Sequence, residues 1–160
     1  MRVQNLLCAA TAAGLSFGFV QTANAGPAYG VTLEQTLVLF DTAAPNVILS
    51  GYAITGMATN EVVRGIDFRP ATGVLYALGS QSNLYTINLT TGAATQVGST
   101  FATALNGSSF GFDFNPTVDR IRVVSDQNQN LRLNPITGAL AFVDGPLSYA
   151  AGDPNFGVDP

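Results

Sequence analysis

Past residue 25 the chain breaks into short apolar runs separated by clusters of Gly, Pro, Asn and Thr, with no sustained helical period. Val62–Phe68 alternates toward Pro70. Val74–Leu78 is rich in β-formers, Leu84–Leu89 repeats the pattern, and Ala93–Val97 gives a fourth run. Between them, Pro70-Ala71-Thr72-Gly73, Gly79–Asn83 and Thr90-Thr91-Gly92 are turns by composition, since Pro presets φ and Gly tolerates positive φ. After a polar connection, Gly98–Ser109, the pattern starts again with Phe110–Phe114, Arg120–Ser125, Asn130–Asn134 and Ala139–Asp144. Strands at this spacing predict an all-β chain.

The second set of strands copies the first. Gly65-Ile66-Asp67-Phe68-Arg69-Pro70 returns as Gly111-Phe112-Asp113-Phe114-Asn115-Pro116, and Thr91-Gly92-Ala93 as Thr137-Gly138-Ala139, always 46 positions on. Residues 64–109 laid on 110–155 without a gap share eleven identities. Gly157-Val158-Asp159-Pro160 opens a third copy in the same register. Before the first full copy, Leu37–Asp41 resembles the third strand and Asn46–Gly51 the fourth, at an offset of 47. Four antiparallel strands per unit of 40–50 residues is the mark of a propeller blade. The expected fold is therefore β-propeller-like, with four-stranded blades of 46 residues. The alternative is a β-sandwich made from a duplicated four-stranded half. The units are a half blade over 26–61, blades over 62–107 and 108–153, and the start of another at 154–160. Because a ring needs at least about four blades, this reading expects a truncated ring that continues beyond Pro160.

The first 25 residues have a different character. Arg2 precedes the apolar run Leu6–Val20, and Ala23-Asn24-Ala25 ends in the small-x-small pattern of a signal-peptidase site. The run is shorter than the roughly 20 apolar residues of a membrane span, so the expectation is an export signal over 1–25 and no membrane attachment after cleavage. That places the protein in the periplasm, at the cell surface or outside the cell. The remainder carries all ten acids against Arg64, Arg69, Arg120, Arg122 and Arg132. An acidic chain repels phosphate backbones, which argues against nucleic acid.

Composition also limits the chemistry. The sequence has no His and no Lys, and its single Cys, Cys8, lies in the leader. A Ser-His-Asp triad, a lysine Schiff base, a Cys/His zinc site and an internal disulfide are all excluded. What remains is carboxylate, hydroxyl and guanidinium chemistry. Asp67, Asp113 and Asp159 hold equivalent places near the end of each first strand. In a propeller they would ring the central channel, as a cation site suited to calcium. Alternatively each carboxylate satisfies backbone N–H groups or an arginine between blades. Arg120, Arg122 and Arg132 stand where the first copy has Val74, Tyr76 and Thr86. Arg120 and Arg122 share a strand face, as candidate partners for Asp113 and Asp67 or as a site for a ligand carboxylate or sulfate. Asp126-Gln127-Asn128-Gln129-Asn130 starts like a calcium loop, but Leu131 and Thr137 replace its required Gly and Glu, so a polar hairpin turn is expected.

The segments G-I-D-F-R-P, L-Y-x-x-N-x-x-T-G, F-G-F-D-F-N-P, D-R-I-R-V-V-S and N-L-R-L-N-P occur in order across Gly65–Asn88, Phe110–Asn134 and Thr137–Asp153. In them the chain resembles the bacterial family called domain of unknown function 4394. The resemblance implies exported, longer proteins with propeller-like repeats; it implies no catalytic residues. Two function classes follow. One is a non-catalytic binding or scaffold module for a glycan, polymer or protein. The other is a propeller hydrolase or lyase that uses Asp carboxylates, with or without calcium.

Overall fold

The computed structural model describes residues 25–158. The export signal, Cys8 and Asp159 thus fall wholly or almost wholly outside the described residues. Eleven strands and no helix occur among the residues described: β1 (Pro27–Val31), β2 (Thr36–Asp41), β3 (Ala44–Ala53), β4 (Val63–Arg69), β5 (Val74–Gly79), β6 (Leu84–Ile87), β7 (Ala94–Gln96), β8 (Phe110–Asn115), β9 (Arg120–Ser125), β10 (Asn130–Leu133) and β11 (Leu140–Val143). They form three antiparallel meanders, β1-β2-β3, β4-β5-β6-β7 and β8-β9-β10-β11, none closed on itself. The first sheet has one strand more than its sequence suggested. β1 carries Pro27 and Gly30, which mask its β-character, yet it pairs with β2 along its whole length from Pro27↔Asp41 to Val31↔Leu37. Of residues 154–160, where another unit was expected to start, the described ones, 154–158, form turns and a bend.

Side-chain alternation turns the three meanders into a stack. On β5 Leu75 and Ala77 point one way, into a cluster with Leu37, Tyr85 and Ile87, joined by Tyr29 and Val31 of the first sheet. Tyr76 and Leu78 point the other way, with Leu84 of β6, into a cluster with Phe114, Ile121, Val123, Leu131 and Leu133 of the third sheet. The middle sheet is therefore buried on both faces, which explains why β5 reads as a continuous apolar run. On the third sheet only alternate residues of β9 and β10 are inward.

Both interfaces use the same residues, one repeat apart. Tyr29 meets Phe68 edge to face at 5.6 Å, and Tyr76 meets Phe114 in the same way at 5.2 Å. Such pairs add about 0.5–1.5 kcal/mol beyond the area they bury. The turns recur too. Gln35, Ser82 and Asn128 occupy one position of the hairpin after the second strand of each unit, with φ of 57°, 66° and 58°. Asn88 Oδ1 accepts the N–H groups of Thr90 and Thr91, and Asn134 Oδ1 those of Ile136 and Thr137. These side chains close the turn after the third strand.

The Thr-Gly-Ala motif has a packing cause as well. Gly138 has φ +69°, and a Cβ there would lie 1.9 Å from the Val97 carbonyl oxygen; one on Gly98 would lie 1.8 Å from that of Thr137. Backbone touches backbone where the second and third sheets meet, and any side chain would force them apart.

Candidate functional site

Asp67 lies near the end of β4, where the edge strands β4 and β8 of the second and third sheets adjoin. Its Oδ1 accepts the N–H of Phe68 at 2.8 Å, and its Oδ2 accepts the N–H of Phe114 at 2.7 Å. One carboxylate thus holds two equivalent amides, 46 residues apart in the chain. Of the roles considered for this aspartate, this is the binding of backbone amides. Asp113, its counterpart on β8, is exposed and shows no hydrogen bond or ion pair among the described residues. The sequence offers one reason: the position 46 beyond Phe114 is Pro160, which has no N–H to give. No group of three or more acidic, His or Cys side chains able to hold a metal occurs among the described residues.

A second clasp joins the same two sheets. Arg69 donates from Nε to Asp119 Oδ1 at 2.9 Å and from Nη2 to Oδ2. The paired guanidinium holds the Asp119 carboxyl below the ordinary aspartate range, and the carboxylate raises the Arg69 pKa in turn. Asp119 has φ 49° and takes the place that Gly73 fills, at φ 68°, in the preceding unit. Asp is among the few residues with a side chain that accept this conformation readily.

The three arginines come together on the outer face of the third sheet. Arg120, Arg122 and Arg132 point away from the middle sheet, as the inward positions of Ile121, Val123, Leu131 and Leu133 require. For Arg120 and Arg122 the sequence suggested Asp113 and Asp67 as partners, but the structure gives them others. Arg122 Nη1 donates to Asn130 Oδ1 at 2.6 Å and to Asp144 Oδ2 at 3.3 Å. Arg132 Nε and Nη2 donate to the two oxygens of Asp144, both at 2.7 Å. Asp67 is already committed to amides. Asp113 is the direct cross-strand neighbour of Arg122, but Asp144, just past the end of β11, receives Arg122 at Oδ2 and Arg132 at both oxygens. Hydrogen bonding from Arg132, with the charges of Arg132 and Arg122, holds the Asp144 carboxyl below its ordinary range. Arg120 donates to the Asp119 and Val118 carbonyls of its own turn. Beside them a groove of about 190 Å³ is lined by Asn115, Val118, Ile121 and the three arginines. A shallower hollow of about 430 Å³ runs from Arg120 and Arg132 to Phe142.

Sequence reasoning missed Glu61. This carboxylate is only 7% exposed. Its Oε1 accepts Gln81 N at 2.9 Å, and its Oε2 accepts Asn83 Nδ2 at 3.0 Å and the Tyr85 hydroxyl at 2.6 Å. Tyr85 Oη in turn accepts Ala58 N. Burial, then the Glu61 carboxylate, push the Tyr85 pKa up. The network ties the loop entering β4 to the β5–β6 turn. In the next unit Gly107 stands at the Glu61 position, and Asp126 takes over the tie by accepting Ser108 N and Oγ. Comparing repeats therefore hides Glu61, because its counterpart has no side chain. Asp126 itself lies in a hairpin turn, as its failed calcium-loop pattern suggested.

No curated protein matches the chain. Among solved structures it is similar to that of a candidate 6-phosphogluconolactonase from Bacteroides fragilis, with 22% identity and a TM-score of 0.38. That likeness covers 71% of this chain and 35% of the other, so the chain spans about a third of that protein's length. The family model described as a domain of unknown function, DUF4394, matches residues 36–160, and the chain belongs to that family.

Proposed function

We propose that this chain is an exported, non-catalytic binding or scaffold module of propeller type, which presents a sheet face to a glycan, polymer or protein. The observation that carries the reading is the commitment of five of its ten acidic side chains to the fold. Asp67 binds two amides, Glu61 a buried set of neutral donors, Asp119 an arginine across the sheet interface, Asp126 a loop serine, and Asp144 two arginines. A hydrolase or lyase needs a pair of carboxylates free to hold a proton and a substrate or water between them. The Asp113 carboxylate has no partner among the described residues, and Arg122 rather than a second acid is its cross-strand neighbour. In this reading the aspartates serve the fold rather than calcium.

The recurrence of one Tyr–Phe contact at two successive interfaces supports the propeller over a sandwich. A sandwich of two duplicated halves has a single interface, whereas here a middle sheet is covered on both sides. The test is a panel of polysaccharides and envelope proteins scored in parallel for binding and for turnover, with and without calcium. Binding without turnover, indifferent to calcium, is expected. Product release that disappears in Asp113→Ala would replace this reading with the enzymatic one.

A further inference from the structure

Asn106-Gly107 is the only Asn-Gly pair in the chain. It lies in the loop between β7 and β8, and both residues are exposed. The exposure belongs to the position. The loop joins two described sheets, and Asn60, 46 residues earlier between the first and second sheets, is exposed as well. The loop is held on either side of the reactive bond but not at it. Asn106 N donates to Gln129 Oε1 at 2.9 Å, and Ser108 N and Oγ donate to the Asp126 carboxylate at 2.9 and 2.6 Å. The Asn106 side-chain amide and the Gly107 N–H have no hydrogen-bond partner among the described residues.

Those two unengaged groups are the reactants of an intramolecular acyl transfer. A backbone nitrogen attacks the side-chain carbonyl carbon of the asparagine before it and closes a five-membered ring, and a glycine, with no Cβ, leaves that approach open. Other positions lack one requirement or another. Asn60 precedes Glu61, whose N–H is committed to the Ala58 carbonyl at 3.1 Å, and Asn155 precedes Phe156, whose N–H goes to Asp153 at 3.0 Å. Asn115 and Asn134 precede prolines, which have no N–H. Asp144-Gly145 has the right spacing, but Arg122 and Arg132 hold its carboxylate ionised, and an ionised carboxylate is a poor acyl donor.

We propose that Asn106 is a site of spontaneous covalent modification, converted through a succinimide to aspartate and isoaspartate. The Gly107 nitrogen gives its proton to solvent and bonds to Asn106 Cγ. The Cγ–Nδ2 bond breaks, and the amide nitrogen takes up a proton and leaves as ammonia. Water then adds to either ring carbonyl and opens the ring, so one water is consumed, one ammonia is released and nothing is oxidised. The product carries a new carboxylate, and in the isoaspartyl form the main chain is one carbon longer between residues 106 and 107. Both changes fall against Asp126. A Cβ on Gly107 would already lie 2.4 Å from Asp126 Oδ1, so the longer chain displaces Ser108 from that carboxylate. The tie between this loop and the β9–β10 turn is released in one direction only, as the protein ages. The modification is independent of the binding-module reading above.

The test keeps the full chain after leader removal at neutral and mildly alkaline pH, with and without urea, and follows it by peptide mass analysis and isoaspartyl methyltransferase labelling. Asn106 should convert faster than any other asparagine, faster at higher pH, and at a comparable rate folded and unfolded. The acidic species separated by anion exchange should melt about 2–4 °C below the unaged protein. Asn106→Gln, a change to an exposed and unengaged side chain, should fold normally and accumulate no such species. Faster conversion elsewhere, or a folded rate far below that in urea, overturns the site. Acidic species that form equally in Asn106→Gln also overturn it. An unchanged melting midpoint of the isoaspartyl form overturns the release of Asp126.

Discussion

Asp67 and Asp113 are the same residue of the repeat in two environments, which makes them a controlled experiment. Truncation of Asp67 to Ala removes two charge-assisted hydrogen bonds, at 2.8 and 2.7 Å, and strands the N–H of Phe114, a residue only 4% exposed. Bonds to a charged acceptor are worth about 1.5–3 kcal/mol each. The carboxylate is half-buried and the two bonds share it, so the pair should total about 2–4 kcal/mol. For a domain of this size that lowers Tm by about 8–16 °C. Asp113→Ala removes an exposed carboxylate without a partner among the described residues, and should change stability by less than about 0.5 kcal/mol. Urea denaturation followed by circular dichroism measures both, with the slope checked to be constant across variants. Equal costs for the two substitutions would refute the assignment of Asp67 as an inter-sheet clasp. So would a loss at Asp67 below about 0.5 kcal/mol.

Three further outcomes follow from the same geometry. Gly138→Ala pays both for its left-handed φ and for a Cβ 1.9 Å from a carbonyl oxygen, whereas Gly73→Ala, at φ +68° in open space, pays only the roughly 1–2 kcal/mol of conformation; thermal melts should show the first as clearly more destabilised, and the reverse order would contradict the contact. Tyr85→Phe takes a donor from buried Glu61 and an acceptor from Ala58, for a loss of about 1–3 kcal/mol in chemical denaturation, and a neutral result would show the network to be dispensable. The folded pKa values of Asp119 and Asp144 are depressed, so their pairing stabilises the fold fully above about pH 4 and less as the pH falls through the folded values. Asp119→Asn should therefore flatten part of the stability loss below about pH 4, and an unchanged pH profile would rule out its contribution.

Much of this architecture is written in alternation and punctuation. The Leu-Tyr-Thr-Ile run, the Asn and Thr-Gly turns and the 46-residue register place every strand from β4 to β11 to within a residue or two, because each rests on local geometry. β1 escaped because Pro27 and Gly30 obscure its alternation, and its strand character comes from pairing with β2. The site was legible in residue type and less so in partnership. That Arg120, Arg122 and Arg132 share a face follows from period-two alternation, but the choice of Asp144 over Asp113 depends on the position of β11, which local pattern does not encode. Glu61 needed the fold outright, since its donors come from Gln81, Asn83 and Tyr85, some twenty residues on.

The burial of both faces of the middle sheet has a kinetic consequence. β4–β7 has no solvent-facing side on which to survive alone, so it gains its stability only when both neighbours are docked. The outer sheets each lean on it through one face. Opening of β5 and β6 should therefore require that a neighbouring sheet undock first, in the manner of a stack whose units are stabilised by nearest neighbours. Amide protons of Leu75–Leu78 would then exchange only after a neighbouring sheet has undocked, which makes this segment a clock for that event.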